Sequence, residues 1–152
     1  MSNLDRSFWT GREVCVVDPT AITQVGALCL RDGKDGKEVL LVKSSRGRWI
    51  VPKGWPMDGH TDAETAKIEA WEEAGLRKGK VSKAPIGGYV TEKRFEDGRV
   101  VPCHVSVYRI DVKQMTKTYP EAGLRKRKWV PLKKAVKKVD DVGLRAFLGA
   151  LK

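Results

Sequence analysis

The stretch Gly54–Leu76, GWPMDGHTDAETAKIEAWEEAGL, decides how the chain is read. It is a loop rich in glycine and proline that runs into a single helix. Thr61 and Glu64 have the T-x-x-E spacing of a capping box, in which each side chain takes the other residue's main-chain N–H. Gly75 is a natural stop, because glycine adopts the left-handed conformation that ends helices. At about 100° per residue, Ala63, Ala66, Ala70 and Ala74 fall on one narrow stripe, and side chains that small let a helix lie close against a sheet. Glu69 and Glu73 sit beside the stripe, and Glu72 takes the next angular position. The carboxylates therefore border the buried face instead of lying opposite it.

Electrostatics oppose that arrangement. Like charges at i,i+4 cost roughly 0.2–0.5 kcal/mol, and each negative group at a helix C-terminus costs roughly 0.3–1 kcal/mol more. A total of about 1–2 kcal/mol is tolerable, so taken alone the cluster reads as a solvated helix face. A divalent cation reverses the sign, because repelling carboxylates become ligands. Mg²⁺ takes oxygen ligands, keeps several waters and binds through few carboxylates plus phosphate oxygens. The loop before the helix can add a main-chain carbonyl from Lys53 or Gly54.

Working outward, Gln24–Arg31 (QVGALCLR) and Glu38–Lys43 (EVLLVK) read as a hairpin around DGKDGK. SSRGR is a polar, basic link, and Trp49–Pro52 (WIVP) is a short strand before the loop KGWPMDGH. Downstream, PIGGYVTEKRF and RVVPCHVSVYRIDV read as two longer strands joined at EDG. RKRKWVPL is a basic strand end, and LKKAVKKV and VGLRAFLGAL are helical pieces. Residues 1–20 read as an arm with a short strand at EVCVVD, and 21–152 as one domain. Strands interleaved with helices predict an α/β sandwich with a mixed sheet.

The 152 residues suffice for one domain with a real core. No apolar run is long enough to span a membrane, and MSNLDRSFWTGREV lacks the pattern of a secretory signal. The three cysteines form no CxxC pair and the only histidines are His60 and His104, which argues against a zinc site or a disulfide framework. Cys29 and Cys103 sit in apolar runs as expected buried thiols, and a reducing cytoplasm fits. The net charge of +11 favours an anionic partner, such as nucleic acid or a small polyphosphate.

The same residues resemble the motif of the Nudix hydrolases, G-x5-E-x7-R-E-U-x-E-E-x-G-U, where U is a bulky apolar residue. Gly54, Glu69, Glu72, Glu73, Gly75 and Leu76 stand at its fixed positions, with Ala70 at an apolar one. His60 replaces its first glutamate and Ile68 its arginine, which in the family helps hold a catalytic glutamate. ALCLR…EVLLVKSSRGRWIVPKG and RKRKWVPLKKAV are similar to the diphosphoinositol polyphosphate phosphohydrolase branch, from about Gln24 onward. The resemblance implies a Nudix-type α/β/α sandwich. It implies Mg²⁺-dependent hydrolysis (Mn²⁺ as an alternative) of a diphosphate linkage in a diphosphoinositol polyphosphate or dinucleoside polyphosphate. Carried over by position, Glu69, Glu73 and Glu72 would bind metal, with Lys53 or Gly54 lending a carbonyl. Glu72 would lead as general base, with Glu69 the other catalytic carboxylate.

Ser44, Ser45 and Arg46 match a segment that lines the substrate site in the similar enzymes, and two hydroxyls with a guanidinium suit phosphate. Lys53 and Gly54 complete that wall. Arg125 and Arg127 would share one face of a strand, with Lys126 and Lys128 on the other. Lys133, Lys134, Lys137 and Lys138 read as a solvated helical face, Trp71 as core, and Glu96 and Glu121 as surface. Two rival readings stand beside this one. An RNA 5′-end pyrophosphohydrolase suits the charge, although no aromatic-interleaved basic run is evident. A non-catalytic polyphosphate-sensing module suits His60 and Ile68. No membrane and no obligate protein partner are implied.

Overall fold

The computed structural model describes residues 21–151. The arm at 1–20, with its expected strand and Cys15, lies outside them.

The elements follow in the order β1 (Ile22–Gly33), β2 (Gly36–Lys43), β3 (Trp49–Ile50), β4 (Lys53–Gly54), α1 (Asp62–Ala74) and β5 (Leu76–Val81). They continue with β6 (Gly87–Arg94), β7 (Val100–Met115), β8 (Arg127–Pro131), α2 (Leu132–Lys138) and α3 (Val142–Gly149). The sheet runs β3-β2-β1-β7-β5, with β4 on β1, β6 on β7 and β8 on β2. β1 and β7 are parallel and the other pairings antiparallel, so the sheet is mixed. The β1–β2 hairpin closes at Gly33 opposite Gly36.

Both faces of the sheet are covered. On one, α1 lays Ala66, Ala70 and Ala74 against Val25, Ala27, Cys29, Leu40, Val42 and Ile110. On the other, α2 and α3 bring Ala135, Leu144 and Leu148 against Leu28, Leu41, Val51, Val105 and Val107. This is the expected α/β/α sandwich. The broken alternation of β7 has a plain cause in these two cores: Cys103, Val105 and Val107 serve one and Tyr108 and Ile110 the other.

β5 is an element that the sequence pattern does not predict. Trp71 is also corrected: it is 36% exposed and lies beside Lys67, Ile68 and Leu76 in a shallow surface cleft, because the alanine stripe and not the tryptophan faces the sheet. Cys29 and Cys103 are buried free thiols as expected, and burial pushes Cys29 up to about 12. Among the described residues no helix is long and apolar enough to cross a membrane.

Candidate active site

The capping box forms as read. Thr61 Oγ1 accepts from the Glu64 N–H at 3.1 Å, and the Thr61 N–H donates to Glu64 Oε1 at 2.9 Å. With its start fixed, α1 carries Glu69 and Glu73 into the protein at 8% and 6% exposure, while Glu72 stays half-buried. β4 then presents Gly54 to the helix so closely that a β-carbon there would collide with the Glu69 carboxylate. A side chain at this position would require the Glu69 carboxylate to shift.

Glu69 and Glu73 share a hydrogen bond. Burial first, and then the proton shared with Glu69, push the Glu73 carboxyl up to about 8, with Arg125 opposing. Burial also raises Glu69, and the Glu72 charge adds to it. Two carboxyls held this way keep a proton between them because each disfavours the other's charge. Lys53 is close enough to Glu73 to feel its charge, and burial pulls its ammonium below the usual lysine range.

The loop before β8 closes over the helix end. Arg125 Nη1 lies 3.5 Å from Glu73 Oε1, and its Nε lies 3.0 Å from Glu121 Oε1. The Glu121 N–H donates to the Glu72 carbonyl at 3.0 Å. Glu121 therefore joins the charge network instead of lying free on the surface. The one local signal for it is the i,i+4 spacing to Arg125.

Arg127 reaches the end of α1. Its Nη1 donates to the carbonyls of Ala74 at 2.7 Å and Thr116 at 2.9 Å, and its guanidinium lies 4.8 Å from the centre of the Tyr119 ring. These bonds tie its Nη1 to the end of α1, while the residue also lines the cavity that holds Ser44, Ser45 and Arg125. The last turn of α1 has no basic residue of its own, so Arg127 supplies the cation that a helix C-terminus favours. Gly75, at φ 78°, holds the left-handed stop beside it.

The predicted phosphate cradle is divided. Ser44 and Ser45 line a cavity of about 840 Å³ together with Lys43, Arg125, Lys126 and Lys128. Ser44 Oγ also accepts from the main-chain N–H of Arg46 (3.3 Å) and Arg48 (3.2 Å), which shapes the turn. Arg46 departs from the expected grouping. With Arg48 and Arg94 it lines a separate cavity of about 830 Å³, because the turn sends successive side chains to opposite sides. At the position of the motif's first glutamate, exposed His60 approaches Glu64 at 3.4 Å and, among the described residues, reaches no other carboxylate.

The donor set fits a hard cation. Glu69 and Glu73 form a buried carboxyl pair against main chain, where a cation can replace the shared proton. Among the described residues no three His, Cys, Asp or Glu side chains converge on one point. An open pair of carboxylates suits a hard divalent cation that keeps several waters.

Residues 22–149 match the NUDIX domain. Nudix hydrolase 16, mitochondrial, of Arabidopsis thaliana is 33% identical over 103 residues, covering 65% of this chain and 56% of that protein. Nudix hydrolase 21, chloroplastic, of the same plant is 30% identical over 151 residues, covering 93% and 72%. The chain spans about half the length of the mitochondrial relatives it matches. A crystal structure of a C. elegans Ap4A hydrolase binary complex superposes with a TM-score of 0.59 at 20% identity, covering 84% of this chain and 93% of that one. That likeness is one of fold.

Proposed function

The chain belongs to the NUDIX domain family, and on that premise we propose that it is a Mg²⁺-dependent pyrophosphohydrolase acting on a highly phosphorylated small molecule. The observation that carries the reading is the buried Glu69–Glu73 pair, packed against Gly54 and bordered by a cationic cavity. Glu69 and Glu73 would hold the metal, with Glu72 beside them and a carbonyl from Lys53 or Gly54. When bound, the metal supplies charge neutralisation at phosphate oxygens and makes water more acidic.

The chain's own residues do the rest. Glu72 takes the proton of the attacking water at its carboxylate. The water oxygen bonds to phosphorus as the anhydride P–O bond breaks, and the departing phosphate keeps the electron pair. Ser44, Ser45 and the lysines of their cavity hold the remaining phosphates, and Lys53 adds a cation close to the reacting centre. Such positioned charge supplies most of the stabilisation in phosphoryl transfer.

The substrate class is a diphosphoinositol polyphosphate or a dinucleoside polyphosphate. The KSSRGRWIVPKG segment supports the first and the fold likeness to an Ap4A hydrolase the second. The test is a hydrolysis panel with Mg²⁺: diphosphoinositol polyphosphates, dinucleoside polyphosphates, nucleotide sugars, nucleoside triphosphates and 5′-triphosphorylated RNA. One of the first two is expected to show the highest kcat/KM. Tight polyphosphate binding without turnover on any compound would instead select the sensing module.

A further inference from the structure

We infer that the surface running from the Ser44–Ser45 cavity, across β8 and onto α2, is a docking track for single-stranded nucleic acid. The first cavity adjoins a second of about 460 Å³, lined by Lys128, Trp129, Val130, Pro131, Lys134, Lys137 and Lys138. Lys128 borders both. Trp49 joins them a second time: Lys43, from the first cavity, lies 5.2 Å from its ring centre, and Lys138, from the second, lies 6.0 Å away.

Among the described residues no aspartate or glutamate lines either cavity. Among the described residues, Lys43, Lys126, Lys128, Lys134, Lys137 and Lys138 have no carboxylate within 4.0 Å. Exposed lysines elsewhere, such as Lys34, Lys80 and Lys113, also lack an ion pair among the described residues, so what sets these six apart is their gathering around two adjoining cavities with no carboxylate in the lining. The grouping follows from two periodicities laid end to end. Lys126 and Lys128 are two apart at the outer edge of the sheet. Lys134, Lys137 and Lys138 share one face of the helix that begins directly after β8.

Lysines gathered without counter-charges repel one another, and a chain of phosphates relieves that repulsion by displacing condensed counterions. A small polyphosphate fills the first cavity, whereas occupying the second as well takes a chain. The apolar surface along the path chooses the kind of chain. Trp49 and Tyr119 line it, with Lys43 and Lys138 near the first ring and Arg127 near the second, and Leu124 stands 79% exposed at its rim; the Trp129 ring is turned to the α1 side of the sheet, under Arg31. Cationic grooves with interspersed rings are what unpaired bases stack into, and a duplex keeps its bases hidden. The inference is independent of the hydrolase reading, because binding is measured without metal.

The experiment is fluorescence anisotropy in chelator, over a salt series, with a labelled single-stranded RNA of about 12 nucleotides. The wild type should show a slope of log K against log salt of roughly −3 to −4. The variant K134Q/K137Q/K138Q should bind at least about tenfold more weakly at low salt and flatten the slope by about 2. A charge-matched control away from the track, K34Q/K80Q/K113Q, should leave the slope nearly unchanged. Melting curves of both variants establish that they fold. Equal weakening by the two variants would overturn the inference. So would a wild-type slope near zero, or preferential binding of duplex RNA or of inorganic polyphosphate of the same charge.

Discussion

At Glu73 a carboxyl is held away from water beside a second carboxyl, with one guanidinium 3.5 Å away. An unfolded chain ionises this group near pH 4.5, while the folded chain holds its proton up to about 8. A raised carboxyl pKa means that the unfolded state binds fewer protons between those values, so folding stability falls as pH rises through that window. In chelator, the wild-type melting temperature should therefore drop between pH 5 and pH 8. Glu73→Gln removes the titrating group but keeps an amide that can donate to Glu69, so its melting curve should lose most of that slope. A variant as pH-sensitive as the wild type would remove Glu73 as the cause. Much of this residue-scale picture was legible in the sequence, since helical periodicity alone put Glu69 and Glu73 beside the buried stripe. The contact with Gly54 was not, because it requires β4 to lie against α1. Arg46 was grouped with Ser44 and Ser45 because adjacent residues look like one patch, and the turn at Ser44 parts them.

The α1 element depends on devices at both ends, and they differ in how far away their residues lie. The N-terminal capping box is local, so Thr61 and Glu64 revealed it. At the C-terminal end the stop, Gly75, is equally local, but the cation that completes it, Arg127, is remote in sequence, so no local pattern announces its bonds to the helix end. Its replacement by methionine keeps apolar contact with Tyr119 but strips a donor from the carbonyls of Ala74 and Thr116. At about 1 kcal/mol per lost bond, Arg127→Met should destabilise the protein by about 2 kcal/mol in urea unfolding. An unchanged midpoint would show that the contact contributes nothing to the helix end. β5 was missed for a related reason. LRKGKV has only Leu76 and Val81 as apolar anchors around charged residues and a glycine. Its strand character comes from pairing with the far end of β7, a partner that no local pattern announces.

Across the whole molecule, charge is distributed more unevenly than composition reveals. Acidic groups meet on α1 at the site, while lysines from β2, β8 and α2 gather around two adjoining cavities. Along the chain Trp49 and Lys138 are far apart, so no basic run with interleaved aromatics could be read there. Pairing β3 and β8 with the two edges of β2, where both reach Val42, brings the groups together. The sandwich places a carboxylate pair suited to a metal next to a surface suited to phosphates, and that juxtaposition is the central claim. It is tested most directly by the rate of diphosphate hydrolysis against Mg²⁺ concentration, for wild type and Glu73→Gln. The account predicts a wild-type rate that saturates with Mg²⁺ and is abolished by chelator. It also predicts a variant slower by roughly a hundredfold or more at every concentration. A wild-type rate indifferent to chelator, or a Glu73→Gln variant with the wild-type Mg²⁺ response, would contradict it.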